Sequence, residues 1–153
     1  MKTNPATHGP PDLIREVLAT ADTLLREGQR LFKPLGLTVA QYNVLNVLAG
    51  RPAGLSQREL GDVLVVDRSN VTGLVDRMGR AGWVRREDHP DDRRIYRVRL
   101  TPAGRRLHET AAERYAAVVT QITRGLGPNQ LRDALVVLQS LQTGATKWTV
   151  SGV

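Results

Sequence analysis

The 153-residue sequence predicts a mainly α-helical chain interrupted by one small β-hairpin, and three observations carry that reading. Apolar residues recur at steps of three and four through six separate stretches. Between residues 83 and 100 the period drops to two. Helix-capping residues punctuate the joins between these stretches. Hydrophobic residues make up 41% of the chain but aromatics only 4%, so the core has to be built from Leu, Val, Ala and Ile. A short helical unit made that way often completes its burial by pairing with a second copy of itself.

The elements follow in order. From Asp12 the residues Ile14, Val17, Leu18, Ala21, Leu24, Leu25, Gly28, Leu31 and Phe32 form one apolar stripe of about six helical turns, and Pro34 and Gly36 stop it. Such a stripe fits either a core helix or half of a dimer interface. Thr38 with Gln41 resembles a capping box, and Tyr42, Leu45, Val47 and Leu48 carry a short helix to Gly50. After the loop Arg51–Gly54, Ser56-Gln57-Arg58-Glu59 is a second capping box, and the helix it opens is apolar at Leu60, Val63 and Leu64. Val65-Val66 turns the chain, and Asp67 is the expected N-cap of a helix reaching about Arg80 before Ala81-Gly82 ends it. Residues 83–87 and 95–100 read as two strands around the charged turn Asp88–Arg93, with Tyr96, Val98 and Leu100 on one face and Arg97 and Arg99 on the other. Thr101-Pro102 caps and starts a long helix with Leu107, Ala111, Tyr115, Val118, Val119 and Ile122 inward. Gly125–Pro128 breaks it, and Leu131, Leu135, Leu138 and Leu141 mark the last helix before a weakly patterned tail.

The charge is concentrated. Of the net +7, the segment 68–106 carries +6, from eleven arginines against five acids. Charge that served solubility alone would be spread along the chain, whereas a polyanion binder gathers it. Two short capped helices followed by a basic hairpin form a winged helix-turn-helix. In the second helix of the pair Val71, Leu74, Val75 and Met78 face inward; Ser69, Gly73, Asp76 and Arg80 point away, flanked by Asn70, Thr72 and Arg77. That outward edge is short, polar and suited to reading base edges in a major groove. Gly73 admits two readings, close approach to DNA or a tolerated glycine on a solvent face, since mid-helix glycine costs about 1 kcal/mol relative to alanine. Arg85, Arg86, Arg97 and Arg99 are candidates for phosphate contacts, with a solvated strand face as the alternative.

Asp92-Arg93-Arg94-Ile95-Tyr96-Arg97-Val98-Arg99-Leu100-Thr101 fits the D-x-R-x-x-x-V-x-L-T wing pattern of the MarR family of regulators, and Pro102-Ala103-Gly104 follows as in typical members. Residues 60–82 also resemble that family's helix-turn-helix, and the resemblance extends over roughly residues 12–142. It implies a mainly α fold with a small β-hairpin wing: a winged helix-turn-helix head over residues 38–104 and a helical dimerisation region over 12–35 and 105–143, between tails at 1–11 and 144–153. It further implies a homodimer whose two heads straddle a pseudo-palindromic operator in double-stranded DNA. By the same resemblance Arg68, Ser69, Asn70, Thr72, Gly73 and Arg77 belong to the major-groove set, and Arg94 enters the minor groove from the wing beside Asp92 and Arg93. Ser56, Gln57, Arg85, Arg86 and Arg97 complete the set as phosphate contacts. Relatives commonly bind small aromatic or anionic effectors between dimer helices and head, and Phe32, Tyr42 and Tyr115 are candidate pocket-liners, with plain core packing as their alternative.

Other classes fit less well. His8, His89 and His108 have no nucleophile or acid at a catalytic spacing, and no phosphate-cradling glycine loop is present, so no enzyme, cofactor or metal site is expected. A winged helix devoted to protein–protein contact is the main rival, and the +6 segment argues against it. The absence of cysteine removes disulfides, thiolate metal sites and thiol-based sensing of peroxide. The polar N-terminus has no apolar core of a signal peptide, and apolar runs such as Ala134–Leu138 fall far short of a membrane span. A soluble cytoplasmic regulator is the expectation.

Overall fold

The computed structural model describes residues 9–64, 70–88 and 96–147. The expected turn at Val65-Val66, the N-cap Asp67 and the hairpin tip His89–Ile95 lie outside the described residues. Among the described residues, helices and strands run in the order α1 (Pro10–Phe32), α2 (Val39–Ala49), β1 (Leu55–Ser56), α3 (Gln57–Val63), α4 (Val71–Arg80), β2 (Val84–Asp88), β3 (Tyr96–Leu100), α5 (Pro102–Ile122) and α6 (Pro128–Lys147), with a 3-10 turn Lys33–Leu35 after α1. The chain divides into two compact units at Tyr115–Ala116.

The helix starts obey their capping chemistry. Thr38 accepts a hydrogen bond from the Gln41 backbone N–H while the Gln41 side chain accepts from that of Thr38. Ser56 and Glu59 make the same reciprocal pair at the start of α3. Helix α4 ends in a Schellman motif: Gly82 takes φ +74°, its N–H reaches the Gly79 carbonyl, and the Trp83 N–H reaches that of Met78. Some ends differ from the sequence reading: α4 begins at Val71 with Asn70, not Asp67, in the N-cap position. Helix α1 begins at Pro10, two residues earlier than Asp12, because Gly9 serves as N-cap and proline is pre-set for the first turn. Helix α6 continues through Gly144 to Lys147, since a glycine inside a helix weakens it without ending it.

The hairpin also gains a strand. β1 pairs antiparallel with β3, giving a three-stranded sheet in the order β1-β3-β2. Leu55 lies opposite Val98, and Val84 opposite Leu100. This sheet, α2, α3 and α4 enclose the core, in which Val44, Leu45, Leu60, Val75, Met78 and Val98 are fully buried. The inward faces expected for α4 and β3 are as the sequence implied, save that Tyr96 at the open end of β3 is exposed.

Outside this core the long helices keep apolar surface. Leu18, Leu24 and Leu25 of α1 are more than half exposed, and Phe32 is the only buried residue of that helix. In the second unit Leu135 and Val136 of α6 are likewise exposed and no residue of α6 is buried.

The joint between the sheet and the start of α5 leaves no room for a side chain at Gly104. A Cβ built on Gly104 would stand 2.0 Å from the Trp83 carbonyl oxygen. That neighbour is backbone held at both ends, so it has no room to give. Gly104→Ala should therefore destabilise the head by about 3 kcal/mol, near the upper end of what overpacking costs. Urea unfolding of the two proteins measures it, and an unchanged midpoint would mean that α5 is free to lift from the sheet.

Candidate nucleic-acid interface

Helices α3 and α4 form the paired unit. The buried row of α4 is Val71, Leu74, Val75 and Met78, which leaves Asn70, Thr72, Arg77 and Arg80 exposed on its other side and Gly73 and Asp76 half-buried between. The structure thus brings Asn70, Gly73 and Arg77 close together on the exposed side, while Thr72 lies beside Gln57, Arg58 and Asp62 of α3. A Cβ on Gly73 would lie 3.3 Å from Nη1 of Arg77, so that guanidinium folds back along the helix over the glycine. Arg77 and Arg80 meet no carboxylate among the described residues. Arg68 and Ser69, also assigned to this edge, lie outside the described residues, as do Asp92, Arg93 and Arg94 of the wing.

The arginines of the sheet are placed unequally. Arg86 is exposed on β2 and reaches across to Asp76 of α4, with Nη2 2.5 Å from Oδ1. Arg85, also exposed, pairs through Nε with Glu87 at 2.6 Å. Register sets Arg85 directly opposite Arg99, two like charges that would repel. Glu87 lies between them and accepts from Arg99 Nη1 at 2.7 Å on its second oxygen. That hydrogen bond, with the charges of both arginines, holds the Glu87 carboxyl below its ordinary range.

Arg97 and Arg99 are half-buried and turn toward the loop before β1. Arg97 Nη1 donates to the Ala53 carbonyl at 3.3 Å and to that of Gly54 at 3.4 Å. Arg99 donates to the Pro52 carbonyl through Nε at 3.0 Å and Nη2 at 2.6 Å. Three consecutive backbone oxygens are therefore gripped by two side chains from β3. The sequence shows no sign of this, because the partners are 43 to 47 residues apart and are backbone atoms. Of the remaining phosphate candidates, Ser56 uses its oxygen as the α3 cap, and Nε2 of Gln57 is buried without a hydrogen-bond partner among the described residues.

Phe32, Tyr42 and Tyr115 do meet. The Phe32 and Tyr42 rings stack with centroids 4.2 Å apart, and Tyr115 lies 5.3 Å from Tyr42 and 6.1 Å from Phe32. Phe32 is 1% and Tyr42 4% exposed, so both serve as core, while Tyr115 is 44% exposed and covers the cluster. Burial, with Tyr115 beside it, raises the Tyr42 hydroxyl above its ordinary value. His108 of α5 joins this group: its ring stacks on Tyr42 at 6.3 Å and Nε2 lies 3.2 Å from Oδ1 of Asn46 on α2. Among the described residues no His, Asp and Glu gather in a way that could hold a metal ion, and no helix is long and apolar enough to cross a membrane.

The family model described as the MarR family matches residues 35–95. Over 129 residues the chain is 33% identical to the multiple antibiotic resistance protein MarR of Escherichia coli K12, an alignment covering 84% of this chain and 85% of that protein. It is 38% identical over 96 residues to the transcriptional activatory protein BadR of Rhodopseudomonas palustris, which covers 61% of this chain and about half, 54%, of BadR. Among solved structures, a mutant of E. coli MarR complexed with operator DNA superposes with a TM-score of 0.76 at 26% identity, covering 84% of this chain and 92% of that one. CouR from Rhodococcus jostii RHA1 bound to p-coumaroyl-CoA superposes with a TM-score of 0.77 at 29% identity, covering 88% and 95%.

The His108 site makes a pH prediction. Burial, reinforced by Arg105 and opposed by Glu109, holds the imidazole below its ordinary value. The folded chain thus binds this proton less well than the unfolded chain, so the stability contributed is whole above about pH 6.5 and is lost as the pH falls through the folded value. His108→Gln should flatten the fall in melting temperature between about pH 7 and pH 5. Parallel falls in the two proteins would show that His108 titrates as it does in the unfolded chain.

Proposed function

Because the chain belongs to the MarR family, we propose that it is a sequence-specific DNA-binding transcriptional regulator that binds a pseudo-palindromic operator as a homodimer. The observation that carries the reading is the exposed polar edge Asn70, Thr72, Arg77 and Arg80 of α4, flanked by a sheet rich in arginine within a segment of net charge +6. The similarity to E. coli MarR, solved on operator DNA, supports placing that edge in a major groove. Arg94 enters the neighbouring minor groove, where a guanidinium is attracted by the enhanced negative potential of narrow A·T-rich tracts. Asp92 holds Arg94 in place, and Arg93 joins them in contacting DNA from the wing. The protein works in the cytoplasm, without catalysis.

The exposed leucines of α1 and the exposed apolar residues of α6 support self-association, since apolar surface of that extent on terminal helices gains by burial against a second copy. Repression released by a small-molecule effector is the regulatory reading. CouR, a structural neighbour, is bound to p-coumaroyl-CoA, which supports an effector with an aromatic or acyl part. A ligand that favours a head spacing unsuited to the operator lowers DNA affinity by population shift. The similarity to BadR, an activatory protein, favours activation as a second reading, because the sign depends on where the operator lies relative to the promoter.

Selection of duplexes from a random pool by the purified protein should enrich two similar half-sites about one helical turn apart. Against the enriched duplex, Arg94→Ala should weaken binding without altering the dimer. Asn70→Ala should narrow the preference for that duplex over random DNA by about 1–3 kcal/mol. A uniform loss on both duplexes would reassign Asn70 to the backbone. Failure to enrich any sequence at low salt would sink the DNA-binding reading and leave a protein–protein module in its place.

A further inference from the structure

We propose that Arg99 is a positioning residue of DNA binding: its guanidinium bridges the Pro52 carbonyl and the Glu87 carboxylate, and so fixes the base of the wing to the turn that delivers α3. The inference rests on the DNA-binding reading and deepens it, because it moves one arginine of the basic face out of contact with phosphate and gives it a different task.

The geometry carries the assignment. Nε and Nη2 of Arg99 converge on one backbone oxygen at 3.0 and 2.6 Å, and Nη1 turns the other way to Glu87 at 2.7 Å. All three nitrogens of the fork are engaged within the head. The loop is shaped to receive the side chain. Gly54 has φ +75°, and a Cβ there would stand 2.5 Å from Cγ of Arg99 and 2.7 Å from the Val98 carbonyl oxygen. The stem of Arg99 thus lies flat on a glycine that no other residue type can replace without strain. The turn Arg51–Gly54 is closed by its own hydrogen bond from Gly54 N–H to the Arg51 carbonyl, at 2.8 Å, so the oxygen that Arg99 holds belongs to a defined turn.

The consequence is mechanical. β2 and β3 carry the wing, and the next residues after Gly54 are β1 and the α3 cap Ser56. A bond from β3 to this turn therefore sets the angle between wing and helix pair, on which simultaneous contact with two grooves depends. Lysine has the same charge but no planar fork. It cannot hold one carbonyl with two N–H groups and a carboxylate with a third. A phosphate contact, by contrast, asks mainly for charge.

That difference supplies the test. The probes are the duplex enriched by the wild-type protein and a random-sequence duplex of equal length, titrated by fluorescence anisotropy over a range of KCl, with melting temperatures measured alongside. Arg99→Lys and Arg99→Ala should each lose about tenfold or more in affinity for the enriched duplex, that is about 1.4 kcal/mol, and much less on random DNA. Their slopes of log K against log salt should equal that of the wild type. Glu87→Ala gives an opposite-sign check that keeps Arg99. It should also weaken binding to the enriched duplex, although it removes a negative charge from the face.

The assignment fails if Arg99→Lys binds like the wild type while Arg99→Ala lowers the salt slope by about 0.9, the signature of one lost phosphate contact. It fails equally if Glu87→Ala binds the enriched duplex more tightly, since that means freed guanidiniums turned to phosphate. A drop in melting temperature with an unchanged ratio of enriched to random affinity would reduce Arg99 to a stabilising residue and also overturn it. If the wild-type protein itself enriches no duplex, the DNA-binding reading falls first.

Discussion

The carbonyl of Trp83 is where three elements of the head meet. The Thr101 N–H donates to it at 3.0 Å, closing the end of β3 onto the start of β2. The Thr101 hydroxyl donates to the neighbouring Gly82 carbonyl at 2.6 Å and accepts from the Gly104 N–H at 3.0 Å, so one side chain both caps α5 and ties it to the turn after α4. Gly104 then brings the α5 backbone against Trp83 with no side chain between. Because Trp83 is also the last residue of the Schellman motif that ends α4, that helix, the β2–β3 hairpin and the start of α5 leave from one point. Their relative directions are fixed by backbone atoms, which have far fewer conformations to lose than side chains would.

From that joint the basic face divides by chemistry. Asp76 and Glu87 each take an arginine, and Glu87 takes two. The acids therefore do more than dilute the positive charge. Asp76 draws Arg86 against α4, and Glu87 cancels the repulsion of Arg85 and Arg99 across the β2–β3 ladder. Exposed pairs of this kind contribute little to stability, roughly 0–1 kcal/mol each. Their effect is on direction: they hold long side chains in one arrangement, while Arg77 and Arg80 stay exposed without a carboxylate partner among the described residues.

Much of this is legible in the sequence, for local reasons. Capping boxes, the Gly82 stop and the inward row of α4 depend on residues three or four apart, and such neighbours interact wherever the chain goes. Tertiary partners gave no such signal. β1 is two residues long, and its second residue, Ser56, is already claimed by the cap of α3, so the strand has no period of its own to read. Arg97 and Arg99 looked like a solvated or phosphate-facing row because alternation reports only which face a side chain takes. What stands over that face comes from residues 52–54. Phe32, Tyr42 and Tyr115 stand in the sequence as one set with core packing as the alternative to a pocket, and burial decides for core at Phe32 and Tyr42. The wing tip, where the family motif is most specific, falls outside the described residues.

The clamp by Arg97 and Arg99 has one further physical consequence. Its acceptors on the loop are backbone carbonyls, which do not titrate, and both side chains are half-buried. Salt screens interactions between exposed charges over about 8 Å at physiological ionic strength, and it weakens short, partly buried hydrogen bonds much less. The bonds from Arg97 and Arg99 to neutral loop carbonyls are thus less sensitive to salt than the ion pairs of Asp76 and Glu87, which share the task of ordering the arginines of the sheet.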